Sequence, residues 1–356
     1  MRAMSTTTQP PKPKRRWYQF SLKTVETMKR PSTWMTLAGS LIIMGLASCG
    51  VERSDPMVEG KHTQEQAVAM IKELGGSVEL DSNNAVVTVD LQGTEITDAG
   101  LEHVKGLTEL QSLDLRRTSV TDAGLEHLKG LANLHELYVA DTNITDAGLT
   151  HLKGLAAELQ YLDLSDTNVT DAGLTHLQGM TGLQSLGLAG TKVTDAGLEH
   201  LKELTNLFDL YVHDTNISDA GLAHLKGLNK ILQLDLSDTN VTDAGLEHLR
   251  GFTELNELLL QNTGVTDAGL EHLKGLTQLK WLDFRGTKVT DAGLENIKGL
   301  TKLEVLDLAN TSVTDGGLLH LTGLTKLEFL GLSDTPVTNE GVKKLQQALP
   351  NCEIHH

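Results

Sequence analysis

The sequence predicts an α/β solenoid, in which short parallel strands alternate with short helices along the chain. A four-residue string, Thr-Asp-Ala-Gly or a close variant, begins at eleven positions, and nine of the ten intervals between them are 24 residues. Such a period is the signature of stacked repeats. Aromatic residues make up only 3% of the chain, whereas a single large core would use more of them. The strings begin at Thr97, Thr121, Thr145, Thr170, Thr194, Ser218, Thr242, Thr266, Thr290, Thr314 and Thr338.

The repeat around residues 110–131 illustrates the unit. Leu113 and Leu115 alternate with polar residues, as in a strand with one buried face. Thr121 is a suitable N-cap, and Asp122 lies where a helix dipole favours a negative charge. Leucines then recur every three residues and predict the inward side of a helix: Leu125, Leu128 and Leu131. The one interval of 25 residues gains its additional residue between elements, within residues 155–158.

This pattern resembles the leucine-rich-repeat family, whose signature is Leu-x-x-Leu-x-Leu-x-x-Asn/Cys-x-Leu. The resemblance covers residues 86 to about 349, and the Thr-Asp-x-Gly-Leu continuation is similar to the cysteine-containing subclass and to bacterial repeat lipoproteins. It implies a horseshoe with a concave parallel β-sheet and short convex helices. The Asn/Cys position is Thr in all eleven repeats, from Thr94 to Thr335. We expect each of these hydroxyls to donate to a backbone carbonyl of the neighbouring turn.

The ends of an open solenoid need caps, because they would otherwise expose the core. We predict an N-terminal cap over residues 63–85, eleven repeats over 86–348 and a C-terminal cap over 349–356. Thr63 and Gln66 fit a capping box at the start of the first helix, and residues 77–80 fit a strand. Cys352 is expected to be a buried small residue and not a reactive thiol.

Residues 1–49 read as an N-terminal extension plus a signal or membrane segment, and residues 50–62 as a tether. The apolar run from Trp34 to Ala47 suits a signal peptide better than a membrane span. It ends in Leu-Ala-Ser-Cys-Gly at residues 46–50, which resembles the bacterial lipobox and implies lipidation of Cys49 and anchoring in the cell envelope. The alternatives are an uncleaved membrane anchor and a twin-arginine signal at residues 15–16. Translation from Met28 would give a signal peptide of ordinary length.

The charge distribution argues against nucleic acid as a partner. Residues 1–49 hold eight of the 30 Lys and Arg residues and one of the 47 Asp and Glu residues, so residues 50–356 carry a net charge of −24. A surface this acidic repels phosphate backbones and anionic lipid headgroups. The two cysteines, Cys49 and Cys352, provide neither a disulfide framework nor a zinc ligand set.

Each strand offers two positions to the concave face, and across the repeats these positions form two columns. The first column is Thr88, Ser112, Glu136, Tyr161, Ser185, Asp209, Gln233, Glu257, Trp281, Val305 and Phe329. The central column is Asp90, Asp114, Tyr138, Asp163, Gly187, Tyr211, Asp235, Leu259, Asp283, Asp307 and Gly331. Interfaces favour Tyr and Trp, and every Tyr and the one Trp of the array lie here. We therefore predict a ligand-binding face made of Tyr138, Tyr161, Tyr211, Trp281 and Phe329 with Asp114, Asp163, Asp235, Asp283 and Asp307.

Two other readings of these columns remain open at this stage. The aspartates could form a calcium site, since adjacent strands bring Asp283 close to Asp307, or they could simply form a solvated acidic face. A histidine recurs in nine repeats, from His103 to His320, and suggests metal binding or pH sensing. Helical geometry instead places these rings opposite the inward leucines, on the outer surface, as part of the repeat consensus.

No motif in the sequence predicts an enzyme or a cofactor. There is no Gly-x-Ser-x-Gly elbow, no His-Glu-x-x-His and no phosphate-binding loop. We therefore expect a non-enzymatic binding module that acts as an envelope-tethered scaffold or receptor for a protein ligand, attached to the membrane only through its N-terminal lipid or anchor. The alternatives are a polysaccharide-binding or adhesion protein, with a glycan ligand, and an intracellular adaptor of the F-box kind.

Overall fold

The computed structural model describes residues 63–356, which form an α/β solenoid as the sequence predicts. Thirteen strands make one sheet and follow each other in chain order within these residues. The first, β1, pairs antiparallel with β2, and all later neighbours are parallel. The strands are β1 Ser77–Leu80, β2 Val86–Asp90, β3 Ser112–Asp114, β4 Glu136–Tyr138, β5 Tyr161–Asp163, β6 Ser185–Gly187, β7 Asp209–Tyr211, β8 Gln233–Asp235, β9 Glu257–Leu259, β10 Trp281–Asp283, β11 Val305–Asp307, β12 Phe329–Gly331 and β13 Glu353–His355.

The strands from β2 to β12 pair without any shift in register. Asp114 pairs with Tyr138, and Asp209 pairs with Gln233. The residue between the two column positions of each strand, such as Leu113 or Leu137, points into the core, and the two column residues on either side of it point to the opposite face. The two predicted columns are therefore confirmed as continuous rows of side chains along one face of the sheet.

The helices of the repeats are short. Most are one α-turn that continues into a 3₁₀ turn or a bend, and those after Thr97 and Thr266 are 3₁₀ segments alone. The α-turns are Asp122–Leu125, Asp146–Leu149, Asp171–Leu174, Asp195–Leu198, Asp219–Ala223, Asp243–Leu246, Asp291–Leu294 and Asp315–Leu318. The 3₁₀ segments are Gly100–Gly106, Glu126–Leu128, Thr150–Leu155, Thr175–Leu177, Glu199–Leu201, Glu247–Gly251, Gly269–Leu273 and Leu319–Leu321. The inward leucines of the strands and helices are buried in one continuous apolar core.

A ladder of aspartates joins each helix start to the next. In every one of the ten intervals, the Asp of the Thr-Asp-x-Gly string accepts two hydrogen bonds from the first residue of the following string. Asp195, for example, accepts from the Ser218 backbone N–H at 2.7 Å and from the Ser218 hydroxyl at 2.6 Å. The acceptors are Asp98, Asp122, Asp146, Asp171, Asp195, Asp219, Asp243, Asp267, Asp291 and Asp315. We call this feature the aspartate ladder.

The glycine of the string is explained by the same contact. A Cβ atom built on Gly221 would lie 2.5 Å from Oδ1 of Asp195 and 3.1 Å from a methyl group of Leu198. That distance is far inside van der Waals contact, so any side chain there would displace the carboxylate. Each Thr-Asp-x-Gly string therefore contributes to two contacts between repeats. Its Asp accepts hydrogen bonds from the next string, and its Gly leaves room for the Asp side chain of the previous string.

The expectation for the consensus threonines is wrong. Each of the eleven hydroxyls donates to a carbonyl three residues earlier in its own turn, as Thr118 does to Leu115 at 2.7 Å and Thr335 does to Leu332 at 2.6 Å. These threonines stabilise the turn after each strand within one repeat. The side-chain bond that recurs between all successive repeats comes from the aspartate ladder instead.

Additional elements close both ends of the core. The first helix, Gln64–Glu73, begins at Thr63, and the expected capping box between Thr63 and Gln66 is present. The last helix, Asn339–Ala348, is followed by β13, and Cys352 is buried at 4% exposure, as predicted. The signal segment, Cys49 and the tether at 50–62 lie outside the described residues.

Candidate functional site

The concave face of the sheet is built from the first and central columns, and it carries the predicted aromatic side chains. Tyr138, Tyr161, Tyr211, Trp281 and Phe329 are all half-buried on this face. Of the other phenylalanines among residues 63–356, Phe252 and Phe284 are buried in the core, and Phe208 is half-buried directly before β7. The structure therefore places every predicted aromatic residue on one surface, where its ring is partly available to a ligand.

The aspartates of the central column have a structural task that the sequence reading did not assign. Each accepts a hydrogen bond from the backbone N–H two residues later, where the strand ends and the turn begins. This bond is 3.0 Å long at Asp114 and 2.9 Å at Asp235. It occurs at Asp90, Asp114, Asp163, Asp235, Asp283 and Asp307. Part of the acidic column is thus explained by turn formation.

The N-terminal part of the face contains a connected polar cluster. The Arg116 guanidinium forms an ion pair with Asp114 and lies 5.2 Å from the ring centre of Tyr138. Glu136 accepts hydrogen bonds from the hydroxyls of Ser112, at 2.8 Å, and Tyr138, at 3.3 Å. Burial, with the nearby charge of Glu136, raises the pKa of Tyr138 well above its usual value. This phenol stays protonated and is held in one orientation.

The middle of the face contains a second cluster, on β7 and β8. Tyr211 donates a hydrogen bond to Oε1 of Gln233 at 2.6 Å, and Nδ1 of His213 lies 2.8 Å from Oδ2 of Asp235. Burial acts to raise the pKa of Asp235, but the hydrogen bond from His213, its charge and the bonds from Ser237 together lower it. Asp235 is therefore an ionised and fully paired carboxylate.

Two acidic residues beside this cluster have no such partners. Asp209 and Glu257 lie in the first column on β7 and β9, on either side of Gln233. Burial raises the pKa of Asp209 to about 7. Burial and the charges of Asp209 and Asp235 raise the pKa of Glu257 to about 7. This part of the face can therefore change charge near neutral pH.

The C-terminal part of the face is more apolar. Trp281, Val305 and Phe329 occupy the first column on three adjacent strands, and the Phe329 ring lies 5.0 Å from the ring of His355. The Arg285 guanidinium contacts two aspartates of the central column, Asp283 at 2.5 Å and Asp307 at 3.5 Å. Asp283 is only 2% exposed. The guanidinium thus lies between the two carboxylates that were considered for calcium, and Asp283 is not part of a solvated acidic face.

Sequence reasoning missed a third column, which follows the central one. Most of its members are small or neutral, but Arg116, His213 and Arg285 break that pattern and each pairs with an aspartate. This departure from the consensus is visible in the aligned repeats and could have identified these residues. The column reads Gln92, Arg116, Ala140, Ser165, Ala189, His213, Ser237, Gln261, Arg285, Ala309 and Ser333.

The histidines of the repeat consensus are half-buried, less exposed than their predicted place on the outer surface. Nδ1 of His200 lies 2.7 Å from Gln178, and Nδ1 of His272 lies 2.6 Å from Arg250, each in the preceding repeat. Within residues 63–356, no three His, Cys, Asp or Glu side chains are grouped so that they could hold a metal ion.

Comparison with known proteins identifies the repeats. The family model for the leucine-rich repeat matches residues 130–152, 158–177 and 227–249, each within the strand-and-helix unit described above. The repeats are leucine-rich repeats. No curated protein matches the chain at a significant level.

A solved structure shares the fold of this leucine-rich-repeat array. An internalin from Listeria monocytogenes is 24% identical with a TM-score of 0.60, over 82% of this chain and 86% of the internalin. A leucine-rich-repeat protein from Leptospira interrogans is 18% identical with a TM-score of 0.47, over 72% of this chain and 74% of its own. At these identities, the likeness concerns the fold alone.

Proposed function

We propose that this leucine-rich-repeat chain is a non-enzymatic, envelope-tethered scaffold or receptor that binds a protein ligand on its concave face. The observation that carries the proposal is the segregation of aromatic residues: every Tyr and the one Trp among residues 63–356 lie on that face. Binding energy in protein interfaces concentrates in such residues, because they bury a large area and retain a polar group.

The geometry of the face supports this proposal. Tyr138 and Tyr211 are fixed by hydrogen bonds to Glu136 and Gln233, so they lose little side-chain entropy when a ligand packs against them. Along the array the aromatic side chains are separated by polar and charged ones, which favours a protein surface of mixed character.

Capture of partners from an envelope extract tests the proposal. Combined replacement of Tyr138→Ala, Tyr211→Ala and Trp281→Ala should abolish capture, with an unchanged far-UV circular dichroism spectrum. The matched control replaces three exposed convex residues, Glu126, Glu199 and Glu247, with Ala and should capture normally. If the aromatic variant still captures the partner, the binding site lies elsewhere on the molecule.

The tether is the second part of the proposal, and it rests on the lipobox-like sequence at residues 46–50. No helix within residues 63–356 has the length and apolar character needed to cross a membrane. An inhibitor of the lipoprotein signal peptidase should cause a larger precursor to accumulate, and Cys49→Ala should prevent incorporation of labelled fatty acid. A chain of unchanged size that is recovered from the cytosol in both experiments would contradict the tether.

A further inference from the structure

The middle of the concave face holds a buried acidic side chain that none of residues 63–356 neutralises. Asp209 is only 8% exposed, yet its carboxylate accepts no hydrogen bond and forms no ion pair with any of residues 63–356. The nearby carboxylates differ in this respect, since Asp235 is paired with His213 and Asp114 with Arg116. Burial of an unpaired carboxylate is costly, so its retention on a candidate binding face indicates a partner that supplies the missing charge.

Glu257 extends this feature along the same column. It is half-buried and lies two strands from Asp209, and its carboxylate has no hydrogen bond or ion pair among the described residues. Adjacent strands are about 4.8 Å apart, so the two positions are separated by about 10 Å. Gln233 lies between them, and its Oε1 is already engaged by Tyr211.

Aromatic residues flank the acidic pair on both sides. Trp281 pairs in register with Glu257 on the next strand. On the other side, Tyr161 lies two strands before Asp209, and the charge of Asp209 contributes to the raised pKa of this phenol. The rings of Trp and Tyr attract cations through their faces. Carboxylates between aromatic rings therefore form a row suited to a chain that carries positive charges.

We propose that Asp209 and Glu257, flanked by Tyr161 and Trp281, bind a basic extended segment of the protein ligand. In an extended segment of polyproline-II type, Lys or Arg side chains three positions apart lie on the same side of the chain, about 9 Å apart, which is close to the spacing of the two carboxylates. The acidic surface, with a net charge of −24 over residues 50–356, attracts such a segment at long range. This inference rests on the proposed function, because it assigns the chemistry of a ligand on the same face.

Titration of a synthetic peptide against the purified full chain tests the inference. The probe is an extended octapeptide, blocked at both ends, whose only charges are two lysines three positions apart. Its affinity should exceed that of the same peptide with glutamines by at least tenfold, and that of a peptide with adjacent lysines by several-fold. Asp209→Asn and Glu257→Gln should each weaken binding roughly tenfold, which is the scale of one partly buried charge pair. Glu247→Gln, an exposed convex control of equal charge change, should have no effect.

The pH dependence provides an independent measurement. Because a carboxylate binds a cation only when ionised, lowering the pH from 8 to 5.5 should weaken binding of the lysine peptide to the wild-type protein. The double variant of Asp209 and Glu257 should lose most of this dependence. The other titratable groups facing the pair, which remain in that variant, are Tyr161, Tyr211, His213 and Asp235.

The outcomes separate this inference from the proposed function. Equal binding of the lysine and glutamine peptides, or undiminished binding by the double variant, would overturn the inference. If the double variant also captures the envelope partner normally while the aromatic variant does not, the concave face remains the binding site for a ligand of different chemistry. Loss of both peptide binding and partner capture in the double variant supports the inference.

Discussion

The aspartate ladder predicts that a single methyl group on its glycine will weaken the joint between two repeats. In Gly221→Ala, the new Cβ would lie 2.5 Å from Oδ1 of Asp195, so the carboxylate must move away from Ser218. It then loses two charge-assisted hydrogen bonds, each worth about 1.5 kcal/mol net. Alanine returns up to about 1 kcal/mol of helix propensity. The expected loss of stability is therefore about 2 kcal/mol.

A double-mutant cycle identifies the cause of this loss. Asp195→Ala removes the same two bonds and should cost about 3 kcal/mol, but it also vacates the space that Cβ needs. The double variant should then be no less stable than Asp195→Ala alone, whereas independent effects would sum to about 5 kcal/mol. Urea unfolding followed by circular dichroism measures each value, provided that the m-value is unchanged.

A matched glycine in the same repeat provides the control. The nearest atom to a Cβ on Gly227 is the carbonyl oxygen of Lys202 at 4.0 Å, so Gly227→Ala has room for its methyl group. It should leave the urea midpoint unchanged or slightly raised. Additive losses in the double variant, or equal effects of the two glycine substitutions, would refute this explanation of the Thr-Asp-x-Gly string.

Three further predictions follow from the site and the ends of the array. The pKa of Asp209 rises from 3.8 in a free side chain to about 7 in the folded protein, so the folded state holds more protons between pH 4 and 7 and loses stability as the pH rises through this window. Asp209→Asn should therefore raise the melting temperature at pH 8, with a gain in the free energy of unfolding of at most about 4 kcal/mol. Near pH 4 it should leave the melting temperature unchanged, and equal effects at both pH values would contradict the unpaired charge. Calcium should not raise the melting temperature, because Arg285 lies between Asp283 and Asp307; an increase of several degrees would revive the calcium reading. Burial raises the pKa of the Cys352 thiol to about 11, so alkylation of Cys352 at pH 8, followed by mass spectrometry of its peptide, should be slow until the protein unfolds; rapid labelling of Cys352 in the folded chain would show an exposed thiol.

Periodicity explains why the fold was predictable from the sequence. An apolar residue, most often leucine, at every core position of a 24-residue unit fixes which side of the strand and helix is buried, and the unit recurs eleven times. Once the register of one strand is known, all the columns follow. The positions of Tyr138 and Trp281 on the concave face could therefore be derived without any knowledge of distances.

The contacts that depend on side-chain reach could not be derived in this way. The short hydroxyl of Thr118 reaches a carbonyl of its own turn, because it is only one bond from Cβ, while the longer Asp98 side chain spans the gap to Thr121 in the next repeat. The state of each acidic residue also depends on its neighbour in three dimensions. Asp235 has His213 beside it and Asp209 has no counter-charge among residues 63–356, although the sequence shows both simply as acids between large apolar residues.

The aspartate ladder also bears on how such a protein changes its length. Each joint uses only the string of one repeat and the string of the next, so removal of residues 218–241 would present Thr242 to Asp195 in place of Ser218. The backbone would close without a new kind of contact, but β7 would become the neighbour of β9. Asp209 and Glu257 would then lie one strand apart. Gene recombination by whole units can thus alter the spacing of charges on the concave face while the scaffold stays intact.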